Sequence, residues 1–526
     1  MSITAQQRPL GYEANGINVI GSGERKGSPR SLFWPWFAAN ISVLGLSYGA
    51  YVFGFGISFW QACVAGLIGI VVSFLLVGFI AVAGKRGSAP TLVLSRAAFG
   101  VQGNKLPSLV SWVLNVGWEI VLTVLATLAT ATVFHRLGWS SGDVTKVVAF
   151  LVITVLIVGS AALGFDTIMR LQAIITVVTG ILTVIYFILV VGKIHWSTVS
   201  SLHSGSAQAF IGATVLVITG FGLGWVNTGA DYSRYLPRRT SGAGVVWWTT
   251  FGASIAPIFL LGFGLLLAGS STSLSSAINT DPIGALATIL PTWYLVPFVV
   301  VAVLGLVGGA VLDIYSSGLT LLAAGLRVPR WSAALFDGVL MVIGTIYVVF
   351  FSKNFIGPFE GFLITLGVPI AAWCGVMLAD ILLRRRPYAE AELFSSSGRY
   401  GMVRWAPVSL MVIGTVAGFG LVVNTNASWL SWQGFLLGPF GLGGKTGTWE
   451  FANLGVIVAL VIAFVGWLAL GRSAIRRQEA TPTEGVIDAT GPADIAGAGA
   501  TDAAGAAGAD AADAAGDAGA AGAAAD

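Results

Sequence analysis

Twelve stretches of mostly apolar residues, each near the roughly 20 that a helix needs to cross a bilayer, recur along this chain. They fall at about 34–57, 60–83, 107–133, 146–165, 171–191, 210–229, 244–268, 295–322, 333–351, 355–380, 405–423 and 452–471. Between them there is little polar material: 10% of residues are charged and 56% are hydrophobic. Soluble domains carry about a quarter charged residues, so this composition excludes a soluble enzyme and a nucleic-acid binder. The expected fold is an all-α membrane protein of twelve transmembrane helices.

The net charge of +4 hides two opposite biases. Residues 1–477 hold all 27 Lys and Arg against 14 acids, and nine acids follow Arg477 with no base among them. Cytoplasmic loops of membrane proteins are enriched in Lys and Arg. With the N-terminus in the cytoplasm, 22 of the 27 cations fall on the cytoplasmic side, leaving Arg136, Lys146, Lys193, Lys353 and Lys445 outside. One span too many or too few would invert every later loop, so this bias also supports the count of twelve. Both termini are expected in the cytoplasm, with the chain in the inner or plasma membrane. The expected organisation is an N-terminal arm (1–30), a transporter domain (31–475) and a disordered Ala/Gly/Asp-rich acidic tail (476–526). Such a tail buries too little apolar surface to offset its ordering entropy. No short apolar run with a small-residue cleavage site opens the chain, so a cleaved signal peptide is not expected.

Cys63 and Cys374 lie inside apolar runs and read as small packing residues. His135, His195 and His203 fall in polar connections. No metal site and no cofactor are expected from them.

Spans 1 and 6 are irregular. The first contains Asn40, Ser42, Ser47 and Gly45, Gly49, Gly54 and Gly56; the sixth contains Gly220, Gly222, Gly224, Asn227, Thr228 and Gly229. Glycine inside a helix costs about 1 kcal/mol relative to alanine. Non-helical backbone at membrane depth is tolerated only where protein or a water-filled cavity surrounds it. Two interrupted spans five apart imply two inverted five-helix repeats with a binding site between the breaks, and spans 11 and 12 as additions. The competing reading is that the glycines only let helices pack closely.

Two carboxylates fall at membrane depth: Glu119 in span 3, beside Trp118 and one turn after Asn115, and Asp313 in span 8. Such groups face a cavity or the bundle interior, and either could carry a proton or make a structural hydrogen bond. Trp118, and Phe221 and Trp225 of the broken sixth span, offer flat surfaces on which a planar ligand could stack.

The stretches WFAANISVLGLSYGA (36–50), GWE (117–119), ADYSRYLPRR (230–239), LDIYSSGLTL (312–321) and GVMLADILLRRR (375–386) occur in order. Together they resemble the nucleobase:cation symporter family, in its purine–cytosine permease branch, over residues 30–475. The resemblance implies a leucine-transporter-like fold, two inverted five-helix repeats plus two C-terminal helices. It also implies import of cytosine, purines, uracil, allantoin or hydantoins with H⁺ or Na⁺. Trp118 resembles the aromatic that stacks on the substrate ring, and Ser42 the polar contact from span 1. Ala38 and Ile41 match the carbonyls that bind Na⁺ in sodium-coupled members. Phe221 or Gly222 falls where the second ring-sandwiching residue is expected.

Three positions depart from the family pattern. Leu122 stands where a polar amide is usual, for which Glu119 or Asn115 could substitute, and Ala310 replaces a span 8 Asn. Leu304 and Gly305 occupy the hydroxyl positions of sodium-coupled members. A hard cation needs several oxygen ligands, so proton coupling is the expectation, with Glu119 or Asp313 as carrier. The expected partners are thus a heterocyclic substrate, H⁺ or Na⁺ and the lipid bilayer, with no nucleic acid, and a monomer is the expected working unit. An amino-acid symporter of the same fold is the main rival; a receptor or an intramembrane enzyme is a distant one.

Overall fold

The computed structural model describes residues 15–140, 142–163, 165–351, 356–425 and 428–480. The first fourteen residues of the expected arm, Lys353 and the expected tail beyond 480 lie outside the described residues.

The principal helices run in chain order. They are α1 (Phe33–Asn40), α2 (Leu44–Phe53), α3 (Phe59–Gly87), α4 (Lys105–Arg136), α5 (Asp143–Leu163), α6 (Phe165–Val190) and α7 (Ala207–Gly220). There follow α8 (Gly229–Ser233), α9 (Gly242–Ser270), α10 (Leu295–Ala323), α11 (Arg330–Phe351), α12 (Ile356–Leu383), α13 (Trp405–Phe419) and α14 (Leu454–Ala480). Among the described residues ten spans are long and apolar enough to cross a membrane, and eleven when the bent pair α1–α2 is counted as one. The remaining expected crossing falls on α13, whose 15 residues reach about 22 Å at 1.5 Å per residue.

Helix ends follow local chemistry. Ser58 and Gln61 form a reciprocal capping box at the start of α3, and Ser241 accepts from Gly244 N at the start of α9. Each satisfies amide donors that have no partner inside the helix. The bundle is sorted by depth. The most apolar windows of α10 and α12 are 72% and 78% buried, whereas those of α5 and α11 are each 28% buried, so the latter face lipid.

Both irregular spans are broken, for different local reasons. α1 ends where Ile41 leaves helical geometry (φ −85°, ψ 70°), and α2 restarts at Leu44 with the axis bent by 64°. No glycine lies in that break. Gly49 serves packing instead: a Cβ there would sit 2.2 Å from the Gly264 carbonyl carbon, so α2 and α9 cross backbone to backbone. In the sixth span the glycines do mark the break. α7 stops at Gly220, a 3₁₀ segment covers Gly222–Thr228, and α8 continues from Gly229.

One end of the bundle is rich in arginine and tied together by polar links. Arg234, fully buried, donates to the Gly16 carbonyl (2.8 Å) and to the hydroxyls of Tyr235 (3.1 Å) and Tyr315 (2.9 Å). Ile20 N donates to Ser88 O and Lys26 N to Tyr235 O, so the described part of the arm lies across the ends of α3 and α8. Glu390 pairs with Arg238 and, at 3.6 Å, with Arg25.

Candidate functional site

The two breaks face each other across a cavity with a free volume of about 50 Å³, walled also by α4 and α10. Ala39, Asn40, Ser42 and Tyr48 line it from the first span, Trp118 and Leu122 from α4, Gly220, Phe221 and Trp225 from the sixth span, and Asp313 from α10. Unwound backbone supplies amides and carbonyls that no helical partner uses, which is why a polar ligand would bind here rather than along a continuous helix.

Aromatic rings form much of the wall. The Trp118 ring meets Phe359 edge-on at 5.7 Å and Phe362 at 6.1 Å, both from α12. Phe221 lies 4.6 Å from Tyr48, whose hydroxyl donates to the Gly220 carbonyl at 3.2 Å. Trp118 is 8% exposed and its Nε1 is buried without a hydrogen-bond acceptor. An unpaired buried donor costs about 1–3 kcal/mol, and here it sits at a cavity edge.

The remaining expected residues divide clearly. Asn115 is turned to the 3₁₀ segment, where Asn227 Nδ2 donates to Asn115 Oδ1 (2.7 Å) and to Ser111 Oγ (2.6 Å). Gly222 packs on α3, where a Cβ would lie 2.3 Å from the Ser73 carbonyl carbon, so of the two expected sandwich positions only Phe221 reaches the cavity. Glu119 is fully buried but not a cavity wall. Successive helical residues point about 100° apart, so Glu119 looks away from the Trp118 side, toward α10 and α11. Asp337 and Asp313 are the acids whose charges act on it. Ser317 stands beside Glu119, but its hydroxyl donates to Asp337 Oδ2 at 2.9 Å and both Glu119 oxygens accept no hydrogen bond.

Ala38 and Ile41 present carbonyls to a glycine surface of α10. A Cβ on Gly305 would lie 2.7 Å from Ile41 O, and one on Gly308 would lie 3.3 Å from both Ala38 O and Gln172 Oε1. Gln172 of α6 donates to Gly308 O at 2.8 Å, and its Oε1 has no partner. Among the described residues no group of three or more His, Cys, Asp or Glu side chains could hold a metal ion. Sequence reasoning missed Asp337, Gln172 and Tyr48. Asp337 sits only seven residues after Arg330 at a helix start, where an acid reads as a loop ion-pair partner.

A cavity at two facing helix breaks within an apolar bundle defines a multi-pass membrane transporter of the alternating-access type. Residues 19–438 match the family described as permease for cytosine/purines, uracil, thiamine, allantoin, and the chain belongs to that family. YxlA of Bacillus subtilis (strain 168) is 25% identical over 413 residues, covering 76% of this chain and 86% of that protein. The cytosine permease of Escherichia coli (strain K12) is 26% identical over 420 residues, covering 74% and 87%. The fold is similar to that of Mhp1, a nucleobase-cation-symport-1 family transporter in a closed conformation with bromovinylhydantoin bound. The TM-score is 0.63 at 18% identity, covering 89% of this chain and 99% of that one. The bundle thus has the leucine-transporter-like fold that the family resemblance implied.

Proposed function

We propose that this protein imports a nucleobase or related planar heterocycle (of the cytosine, purine, uracil, allantoin or hydantoin class) across the cell membrane, coupled to protons. The observation that carries the reading is Trp118, a buried indole at the cavity with an unpaired Nε1. Stacking of a base on an aromatic side chain contributes about 1–3 kcal/mol. Phe221 supplies the second aromatic wall, and Ser42, Asn40 and the freed backbone of both breaks pair the polar edges of the ring. Asn115 and Gly222 act indirectly, by holding the 3₁₀ segment against α4 and α3. Discrimination among heterocycles then comes from edge pairing, since a site built for polar edges rejects analogues that lack them.

The cavity has room for a few waters and not for a ring. Entry therefore requires the Tyr48–Phe221–Phe359 cluster to part. Phe359 and Phe362 precede Pro369 in α12, where the missing N–H weakens the helix and allows a hinge. In this reading the arginine-rich end is cytoplasmic, both termini lie on that side, and the Arg234 links close the inner path. The working unit is one chain.

Proton coupling rests on the α10 surface facing Ala38 and Ile41, where Gly305 and Gly308 provide no hydroxyl ligand. The proposed carrier is Glu119 or Asp313. The specific rival is Na⁺ held by the Ala38 and Ile41 carbonyls with the unpaired Gln172 Oε1. Uptake of radiolabelled cytosine, with a competing panel of bases, decides between them. Collapse of uptake by a protonophore, with indifference to Na⁺, supports the proton; the reverse supports Na⁺. Competition by leucine instead of bases would mark an amino-acid symporter.

A further inference from the structure

Behind the cavity, α4 carries a polar stripe at Trp112, Glu119 and Thr123 that faces α11. Trp112 Nε1 donates to Asp337 Oδ1 at 2.6 Å, and Thr123 Oγ1 contacts Met341 Sδ at 3.2 Å, one turn along α11 from Asp337. Glu119 lies between these two contacts. Asp337 and Glu119 are both fully buried, and Ser317 of α10 stands between them.

Charge makes this arrangement informative. A carboxylate at membrane depth costs several kcal/mol unless it is neutralised or fully hydrogen-bonded. Asp337 accepts two donors, Trp112 Nε1 and the Ser317 hydroxyl, whereas Glu119 accepts none. No cation faces them among the described residues. On α10 the only charged group facing Glu119 is Asp313. On α11, Arg330 lies two turns earlier with its guanidinium over the Tyr315 ring at 5.1 Å. On α5, Asp143 and Lys146 pair with each other at 3.6 Å. On α12, Asp380 pairs with Arg384, and Glu360 lies beside Tyr48. In the sixth span Asp231 accepts from Thr91. Two uncompensated negative charges on facing helices at this depth repel, which favours one proton shared between two carboxyls over two carboxylates.

We propose that Glu119 and Asp337 form a proton-sharing pair, bridged by the Ser317 hydroxyl, that holds the coupling proton outside the substrate cavity. This rests on the proton-coupled reading above. The proton leaves one carboxyl as a net +1 charge and the site regains a second negative charge; no bond other than O–H is made or broken. Ser317 has a single hydrogen and serves one carboxylate at a time. While its hydroxyl donates to Asp337, Asp337 carries the negative charge and Glu119 the proton. Rotation of the hydroxyl to Glu119 moves the stabilised negative charge to Glu119 and the proton the opposite way, to Asp337. Asp313 lies on the same helix as Ser317, one turn away, and lines the cavity. Substrate arrival at Asp313 is thereby felt at the pair through α10.

The test uses the purified full-length protein in lipid. Infrared difference spectra between acid and alkaline pH should show a carbonyl stretch of a protonated carboxyl that shifts or disappears in both Glu119→Gln and Asp337→Asn. Ser317→Ala, which removes one oxygen only, should shift the same band. In proteoliposomes, with cytosine as the probe, both carboxyl variants should lower proton-driven accumulation by about tenfold or more while equilibrium binding stays within about threefold. A band abolished by Glu119→Gln but unmoved by Asp337→Asn and Ser317→Ala overturns the sharing. A wild-type protein that shows the shared band yet moves cytosine without protons overturns the coupling role, and with it the proton reading. The infrared result separates these two failures.

Discussion

Gly224 stands beneath the indole of Trp118: a Cβ at residue 224 would lie 2.9 Å from Nε1, closer than packed atoms approach. The 3₁₀ segment of the sixth span thus fixes the tilt of the aromatic wall contributed by α4. Glycine here keeps the indole nitrogen at the cavity edge.

Gly224→Ala should therefore rotate or displace Trp118. Phe359 and Phe362 pack against the ring, so it cannot swing freely, and overpacking of this kind costs about 1–3 kcal/mol. We expect the apparent affinity for substrate to fall by about tenfold, with a modest drop in the midpoint of thermal unfolding from the overpacking. Binding measured by calorimetry or scintillation proximity checks this. Unaltered affinity would mean that Trp118 is not a binding wall.

Asp380 and Arg384 form a buried bidentate pair, with contacts of 3.0 and 3.1 Å, and Arg384 also donates to Gln478 Oε1 of α14 at 2.9 Å. The pair thus ties α12 to α14. Asp380→Asn leaves a buried guanidinium without its counter-ion, which costs about 3–5 kcal/mol. A clear drop in the midpoint of thermal unfolding is expected, and adding Arg384→Met should recover much of it. Equal losses in the single and double variants would contradict this reading.

Glu392 belongs to the connection between α12 and α13. Its oxygens accept from Arg399 Nε (2.9 Å) and Arg399 N (2.6 Å), and these hydrogen bonds hold its carboxyl below the usual value of 4.5. A depressed value in the folded state means that the contribution is present above that pH and is lost as pH falls through the folded value. Because Glu392 lies in a connection with part of its side chain open to solvent, the effect is local. Cleavage of residues 389–404 by an acid protease should accelerate as pH drops below 4.5, and Arg399→Gln should bring that rate to higher pH.

Much of the bundle was legible because bilayer thickness sets helix length and because apolar runs are interrupted by arginine-rich loops. The two broken spans were legible too, although the reason given for the first was incomplete. Its break at Ile41–Val43 contains no glycine, and Gly49 packs against Gly264 of α9 instead. A glycine that unwinds a helix and one that admits a neighbour look alike in sequence. Trp118, Ser42, Phe221 and Asp313 were found at the cavity because aromatic and polar residues at a break stand out from an apolar background. Glu119 and Asn115 were placed one helical face away from where sequence proximity to Trp118 suggested. Asp337 was missed, since its burial depends on α4 and α10 covering the start of α11, a tertiary fact without a local signature.

The most direct test of the account is uptake of radiolabelled cytosine into proteoliposomes holding the purified protein, under an imposed pH gradient, with and without Na⁺ and with competing purines, uracil and allantoin. The account predicts accumulation that follows the inward proton gradient, is abolished by a protonophore, ignores Na⁺ and is competed by at least one of these heterocycles. Accumulation that requires Na⁺ and persists with the protonophore, or no competition by any heterocycle of the panel, would contradict it.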